Sequence, residues 1–283
     1  MAAPPARTEI SDAYPNPSNA VARAGFGKLW DYVTGLLGGT GNPAEARAAL
    51  GLGSVSYRNK IINGNFRINQ RNWSGSVSLA AGAYGHDRWK AGAGGAGYTF
   101  AASGADTVLT IFSGTLQQVI EGADIEGGDF TISWEGTAQG KVVGGSYASS
   151  PLVVGGWPSG TNLAVEFSTG TLGKVQVEAG DLATDFERRP MAIEMAMCRR
   201  YYQLAQFTVY KGSTGSNFAG SITNVYFERM RATPTVGSTN RLAGTAQATT
   251  FTPESPTNMI AYYTSPPSLD TWTTWTVQLN AEL

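Results

Sequence analysis

The pattern of apolar and polar positions begins with one amphipathic helix. Between residues 19 and 38 apolar side chains recur at three- and four-residue steps, with Asn19 as a cap and Gly38-Gly39 as an end signal. An isolated helix of this length is marginal in water, so its stripe needs a partner, either the body of the chain or identical copies in a parallel bundle. The stripe consists of Ala22, Phe26, Leu29, Trp30, Val33, Leu36 and Leu37.

From Asn59 onward the pattern changes to short strand-like runs separated by turn signals. Intervals of roughly 8–12 residues between such runs predict an antiparallel β-sandwich that buries one face of each sheet. The β pattern is interrupted between Pro190 and Ala205, where a helical spacing returns, and more strand-like runs follow. The helical face there consists of Met191, Met195, Cys198, Tyr202 and Ala205.

These patterns predict a mainly β protein in three parts. Residues 1–58 form an N-terminal arm and helical segment, which includes a proline-rich extended arm over 1–20 and a second short helix over 43–50. Residues 59–190 form the sandwich. Residues 191–283 form a helix followed by a smaller β unit.

Composition narrows the function. Charged residues make up only 14% of the chain and the net charge is −1, whereas a nucleic-acid-binding domain would present a basic face. The absence of a stretch of about 18 apolar residues argues against membrane insertion, and the first residues lack the apolar core of a secretory signal. With one cysteine and one histidine, Cys198 and His86, the sequence predicts no metal centre, and we expect no cofactor.

The acidic residues and the single histidine do not match the catalytic arrangements of hydrolases. A glycosidase needs two carboxylates facing each other across a sugar, and the acidic residues Glu121, Asp124, Glu126 and Asp129 share one Gly-rich loop. That loop could be a solvated turn or a weak calcium site, and the solvated turn is the better interpretation because the spacing differs from the calcium-loop signature. A Ser-His-Asp arrangement would have to use His86, with no G-x-S-x-G turn beside it. We therefore predict that the protein is not an enzyme.

Binding of glycan requires aromatic rings that are exposed to stack on sugars. Trp157 and Tyr147 lie in stretches rich in Gly, Ser and Pro, and Trp272 and Trp275 flank a Thr pair near the C-terminus. We take these four as candidate glycan-binding residues. Each of them could instead pack in a core or a subunit interface, and Trp157 is expected to be the most exposed.

Several segments carry motifs in a fixed order. Residues 39–53 read GTGNPAEARAALGLG, and residues 59–71 read NKIINGNFRINQR, with DRW following at 87–89. Residues 175–190 read VQVEAGDLATDFERRP, then CRRYY at 198–202 and MRATPTV at 230–236. In order and spacing these segments resemble bacteriophage tail-fibre proteins that carry a jelly-roll, carbohydrate-binding-like module. The resemblance implies a virion protein, a jelly roll and a homotrimer, and we expect the motifs themselves to maintain the fold.

The function predicted from this is a phage virion fibre that attaches to the host surface, with polysaccharide or lipopolysaccharide as its partner. Residues 1–58 would join other virion proteins and bring copies together through Phe26, Leu29, Trp30, Val33 and Leu37. The expected location is the virion, after synthesis in the host cytoplasm. Two alternatives remain open. One is a purely structural head, collar or baseplate protein, and the other, with less support, is a glycan hydrolase.

Overall fold

The computed structural model describes residues 26–34, 57–211, 221–244, 248–264 and 271–283. The chain divides into two compact units, Met1–Arg58 and Asn59–Leu283. In the first unit residues 26–34 form helix α1. The remainder of the predicted 19–38 helix, the 43–50 helix and the arm over 1–20 lie outside the described residues.

The second unit is built mainly from antiparallel strands. Its first part contains β1 (Ser76–Leu79), β2 (Lys90–Ser103), β3 (Asp106–Ile120), a 3₁₀ turn (Gly122–Asp124), β4 (Gly128–Glu135), β5 (Gly140–Val142), β6 (Leu152–Trp157), β7 (Leu163–Phe167) and β8 (Gly170–Ala179). Helix α2 (Met191–Arg199) is followed by β9 (Tyr202–Lys211), β10 (Ser221–Tyr226), β11 (Thr235–Gly244), β12 (Ala248–Ser255), β13 (Asn258–Thr264) and β14 (Thr271–Asn280). The prediction of a mainly β fold with few helices is confirmed.

The first eight strands form two layers that share β8. The strand order is β1-β2-β3-β8-β4-β6, and β7 joins β3 to β5. Strand β8 pairs first with β3 and then, from Gly173 onward, with β4. Trp134 of β4 packs against Phe167 of β7 with ring centroids 5.2 Å apart, so the two layers meet across one hydrophobic core. Strand β7 illustrates the cause, because its buried residues alternate with half-exposed ones.

The sequence motifs meet at one edge of this core. Asn63 has a positive φ, and its side-chain amide donates to the backbone carbonyls of Ile68 and Asp87 and accepts the backbone N–H of Ile68. The backbone carbonyl of Asn63 accepts the indole N–H of Trp89 at 3.0 Å. Gly64 leaves no room for a side chain, since an added Cβ would lie 2.2 Å from the carbonyl oxygen of Val175. The buried motif residues thus tie the start of the unit to β2 and β8.

His86 is also part of this core. Its Nδ1 lies 2.9 Å from the hydroxyl of Tyr98, and its ring packs edge-on against Phe100. Burial lowers the pKa of His86 to about 4, so the imidazole is neutral at physiological pH. As pH falls from about 6.5 towards 4, the unfolded chain takes up a proton that the folded core refuses, and stability is lost in that window.

Helix α2 is shorter than its spacing predicts. The prediction that the helix continues to Ala205 is wrong, because Tyr202–Ala205 pair with Asn280–Val277 of β14. The ladder with a distant strand outweighs a local three- and four-residue spacing. Cys198 is fully buried and burial raises its pKa, in keeping with its interpretation as a small core residue.

The C-terminal strands make two three-stranded sheets, ordered β10-β13-β12 and β11-β14-β9. The rings of Phe207, Phe251 and Trp275 stack edge-to-face at 5.7 and 5.5 Å and join the two sheets. The polypeptide after β14 returns to the sandwich, where Glu282 pairs with Arg88 and Arg71. No helix among the described residues has the length and apolar character needed to cross a membrane.

Candidate functional site

Helix α1 exposes the apolar side chains proposed for assembly. The side chains of Phe26 and Trp30 are 73% and 69% exposed, and Leu29 is also exposed. Val33 is half-buried, and Leu37 lies outside the described residues. Three side chains of the face that the spacing predicts to be apolar are therefore exposed in the described part of the helix.

Two of the predicted glycan-binding tryptophans are packing residues. Trp157 ends strand β6 rather than lying in a loop, it is half-buried against the sandwich core, and its indole N–H donates to the carbonyl of Thr161 at 3.2 Å. The prediction that Trp157 is the most exposed candidate is wrong. Trp275 is also half-buried and packs against the core of the C-terminal sheets. Trp272 belongs to β14, and its side chain lies outside the described part of the chain.

Tyr147 is the predicted candidate that reaches solvent. Its ring is 36% exposed, its hydroxyl donates to Glu166 at 2.7 Å, and the ammonium of Lys141 lies 4.4 Å from its ring centroid. Lys141 and Glu166 also pair with each other at 3.2 Å. We call Lys141, Tyr147 and Glu166 the Tyr147 platform.

The strand pairing explains how the Tyr147 platform forms. Lys141 on β5 lies opposite Glu166 on β7, and Gln117 on β3 lies on the other side of Glu166, so one row of polar side chains crosses three strands. An isolated bridge between Gly140 and Ala148 folds the following loop back, which places Tyr147 beside this row. Lys141 holds the Tyr147 ring on one face and Glu166 holds its hydroxyl, so the side chain has little rotational freedom left to lose when a ligand binds.

Electrostatics distinguish Tyr147 from an ordinary surface tyrosine. Burial, together with the hydrogen bond to Glu166 and the charge of that carboxylate, raises the pKa of Tyr147 to about 12. The phenol therefore stays protonated and continues to donate to Glu166 at all physiological pH values. The Lys141 ammonium covers part of the Tyr147 ring, and the part that stays exposed can stack on a sugar ring while the neighbouring charged groups bind its hydroxyls.

Three of the four acidic loop residues have structural partners. Glu121 binds Arg200 at 2.8 Å, and Glu126 pairs with Lys60 at 3.0 Å. Asp129 accepts the backbone N–H of Gly156 at 2.8 Å. Within the described ranges no group of three or more His, Cys, Asp or Glu side chains is arranged to hold a metal ion.

A second surface was missed by sequence reasoning. A groove of about 740 Å³ lies between β9 and β10, and we call it the β9–β10 groove. Tyr226, 76% exposed, and Leu204, 43% exposed, line it together with other apolar side chains, polar uncharged side chains and one Arg-Glu pair. Tyr226 and Leu204 belong to strands, whereas the sequence analysis expected exposed rings in loops. The outward positions of an edge strand leave only a weak signal in the alternation of residue types.

No protein-family model matches this chain, and no curated protein matches it significantly.

Proposed function

We propose that the protein is a fibre-type attachment protein of a bacteriophage particle and that it binds glycan of the host surface through the Tyr147 platform. The observation that carries the proposal is a solvent-facing tyrosine ring fixed by both an ammonium and a carboxylate. The order of the motifs that resemble tail fibres supports the virion context.

The purely structural alternative is less favoured. Outer loops of only Ser, Gly and Thr would favour a structural role, whereas an exposed aromatic ring in such a loop favours binding. Tyr147 is such a ring, since it lies in the loop after β5 and is 36% exposed. That the protein has no catalytic activity stays a prediction.

Assembly would multiply the effect of weak sugar contacts. Apolar residues of helix α1 would associate with identical copies, as in a trimer, and each further sugar contact would then be intramolecular. The N-terminal segment would also join other virion proteins.

The test of binding is an array of bacterial surface polysaccharides and lipopolysaccharides probed with the full chain. We expect the wild-type protein to bind a subset of them and Tyr147→Ala to lose that binding. Phe112→Ala removes an exposed ring elsewhere on the same sandwich and serves as the matched control. A wild-type protein that binds none of the glycans would reject the attachment role and favour the structural virion protein.

Light scattering tests the assembly part of the proposal. We expect a trimer for the full chain and a monomer for residues 59–283, and Trp30→Asp in the full chain should lower the mass because it places a charge in the apolar stripe. A full-chain monomer would instead assign α1 to docking on another virion protein.

A further inference from the structure

The β9–β10 groove lies between two open sheet edges. Strand β9 is an edge of one C-terminal sheet and β10 is an edge of the other. Both pair with their neighbours in unbroken register, so their free sides present regular rows of backbone donors and acceptors. The opposite edges are irregular, since β11 has two register shifts and β12 contains Pro253 next to one. Such features protect an edge, and β9 and β10 lack them.

The groove is uncharged along most of its length. Gln206 and Asn224 are exposed on β9 and β10, and their side chains form no hydrogen bond with any other described residue. The charged pair at one end, Arg199 and Glu228, is joined at 2.6 Å and so neutralises itself. A ligand that matches this surface has many hydrogen-bonding groups and no net charge.

One aromatic ring dominates the exposed surface of the groove. Tyr226 is the most exposed large side chain in the groove. A phenol ring offers a flat apolar face to the C–H groups of a sugar, while neighbouring amides donate to and accept from its hydroxyls. The volume of about 740 Å³ falls in the range of about 300–1,000 Å³ that is usual for small-ligand sites.

From these features we infer that the β9–β10 groove is a second glycan site, separate from the Tyr147 platform, that binds an uncharged oligosaccharide stacked on Tyr226. The inference rests on the proposed attachment function and adds to it a site and a ligand class. A row of mainly apolar outward residues would favour a protein partner, but Gln206, Thr208 and Asn224 are polar and exposed.

The experiment is a calorimetric titration of the full chain with neutral tetrasaccharides of glucose, mannose, galactose and N-acetylglucosamine, and with a uronic acid tetrasaccharide of equal length. We expect at least one neutral oligosaccharide to bind. Tyr226→Ala should weaken that binding by about threefold to tenfold, the range of one aromatic contact. Tyr262→Ala, which removes an exposed ring from β13 outside the groove, should leave it unchanged.

The outcomes separate this site from the proposed function. Glycan binding that Tyr147→Ala abolishes and Tyr226→Ala leaves intact would overturn the groove site and keep the attachment role. Binding of the uronic acid oligosaccharide alone would also overturn it. If no glycan of any kind binds, both proposals fail. If Tyr226→Ala instead lowers the mass of the purified protein in solution, the groove is covered by a strand from another copy, and the glycan assignment is wrong.

Discussion

Two clusters of the same chemical composition have opposite surroundings. In the Tyr147 platform Lys141 lies over a tyrosine ring and pairs with Glu166 near solvent. Between the sandwich and the C-terminal residues Arg88 lies 3.5 Å from the ring centroid of Tyr201 and pairs with Glu282. The side chains of Arg88 and Glu282 are only 1% and 2% exposed. We call Arg88, Tyr201 and Glu282 the buried triad.

The difference between the two clusters shows that burial decides what a cation, a ring and a carboxylate accomplish together. The buried triad cannot reach a ligand, and the charge of Arg88 is compensated only while Glu282 is present. In the Tyr147 platform the side chains of Lys141 and Glu166 are 22% and 13% exposed, so solvent screens their charges more than it screens those of the buried triad, and Tyr147 itself is 36% exposed. One cluster holds two parts of the fold together, and the other keeps part of its ring at the surface.

The largest expected effect is on the buried triad. Glu282→Gln leaves the guanidinium of Arg88 buried without its counter-charge, and loss of one partner of a buried pair costs about 3–5 kcal/mol. Urea unfolding of the full chain should show a loss of stability in that range. Arg71 also loses its partner in this variant, but Arg88 is the more deeply buried of the two cations, so we expect the double variant with Arg88→Met to be more stable than the single variant. Equal or greater damage in the double variant would contradict this account.

The corresponding substitution in the Tyr147 platform should affect glycan binding more than the free energy of unfolding. Glu166→Gln breaks a pair whose side chains are 22% and 13% exposed, so the free energy of unfolding should fall by less than the loss of about 3–5 kcal/mol expected for the buried triad. Binding to the glycans identified on the array should weaken, because the orienting carboxylate is lost. A large loss of stability with unchanged binding would mean that the platform is only structural.

The smallest effect is on proton release at high pH. Burial is the main cause that raises the pKa values of Tyr147 and Tyr201 to about 12, and Glu166 adds to it for Tyr147. The unfolded chain loses these protons near pH 10, so their contribution to stability is present below pH 10 and is lost as pH rises towards 12.

Glu166→Gln tests the local part of this shift. It should move the pKa of Tyr147 partway back towards 10, and it should leave the pKa of Tyr201 unchanged because the charges that act on Tyr201 are those of Arg88, Glu121 and Arg200. Ring resonances of the tyrosines, followed by NMR across the alkaline range, measure both values. An equal shift at Tyr201 would indicate a general loosening of the sandwich.

Much of the fold could be predicted because local signals agreed with it. Alternation along strands such as β7 and the regular turns both indicate a mainly β protein. The end of α2 could not be predicted, since Tyr202 leaves the helix to pair with Asn280, which is far away in sequence. Likewise, the DRW motif at 87–89 was expected to maintain the fold, but nothing in the neighbouring sequence indicates that Glu282 is the partner of Arg88.

The candidate site was predictable only in part. Tyr147 was found because its Gly- and Ser-rich surroundings indicate a surface loop. Its partners Lys141 and Glu166 depend on the pairing of β5 with β7, which residue types alone do not specify. Trp157 failed as an exposed candidate for a related reason, because Gly155 and Gly156 read as loop residues although β6 continues through them. Exposure is a property of tertiary packing, which the composition of a segment only suggests.

The buried pair of Arg88 and Glu282 also affects the order of events during synthesis. The two residues are 194 positions apart, so at typical translation rates of about 5–20 residues per second roughly 10–40 s pass between them. The sandwich can form once β8, which ends at Ala179, has been made, and it then contains a cation whose partner does not yet exist. A chain that stops before Glu282 would keep that defect and should be less stable than the complete chain.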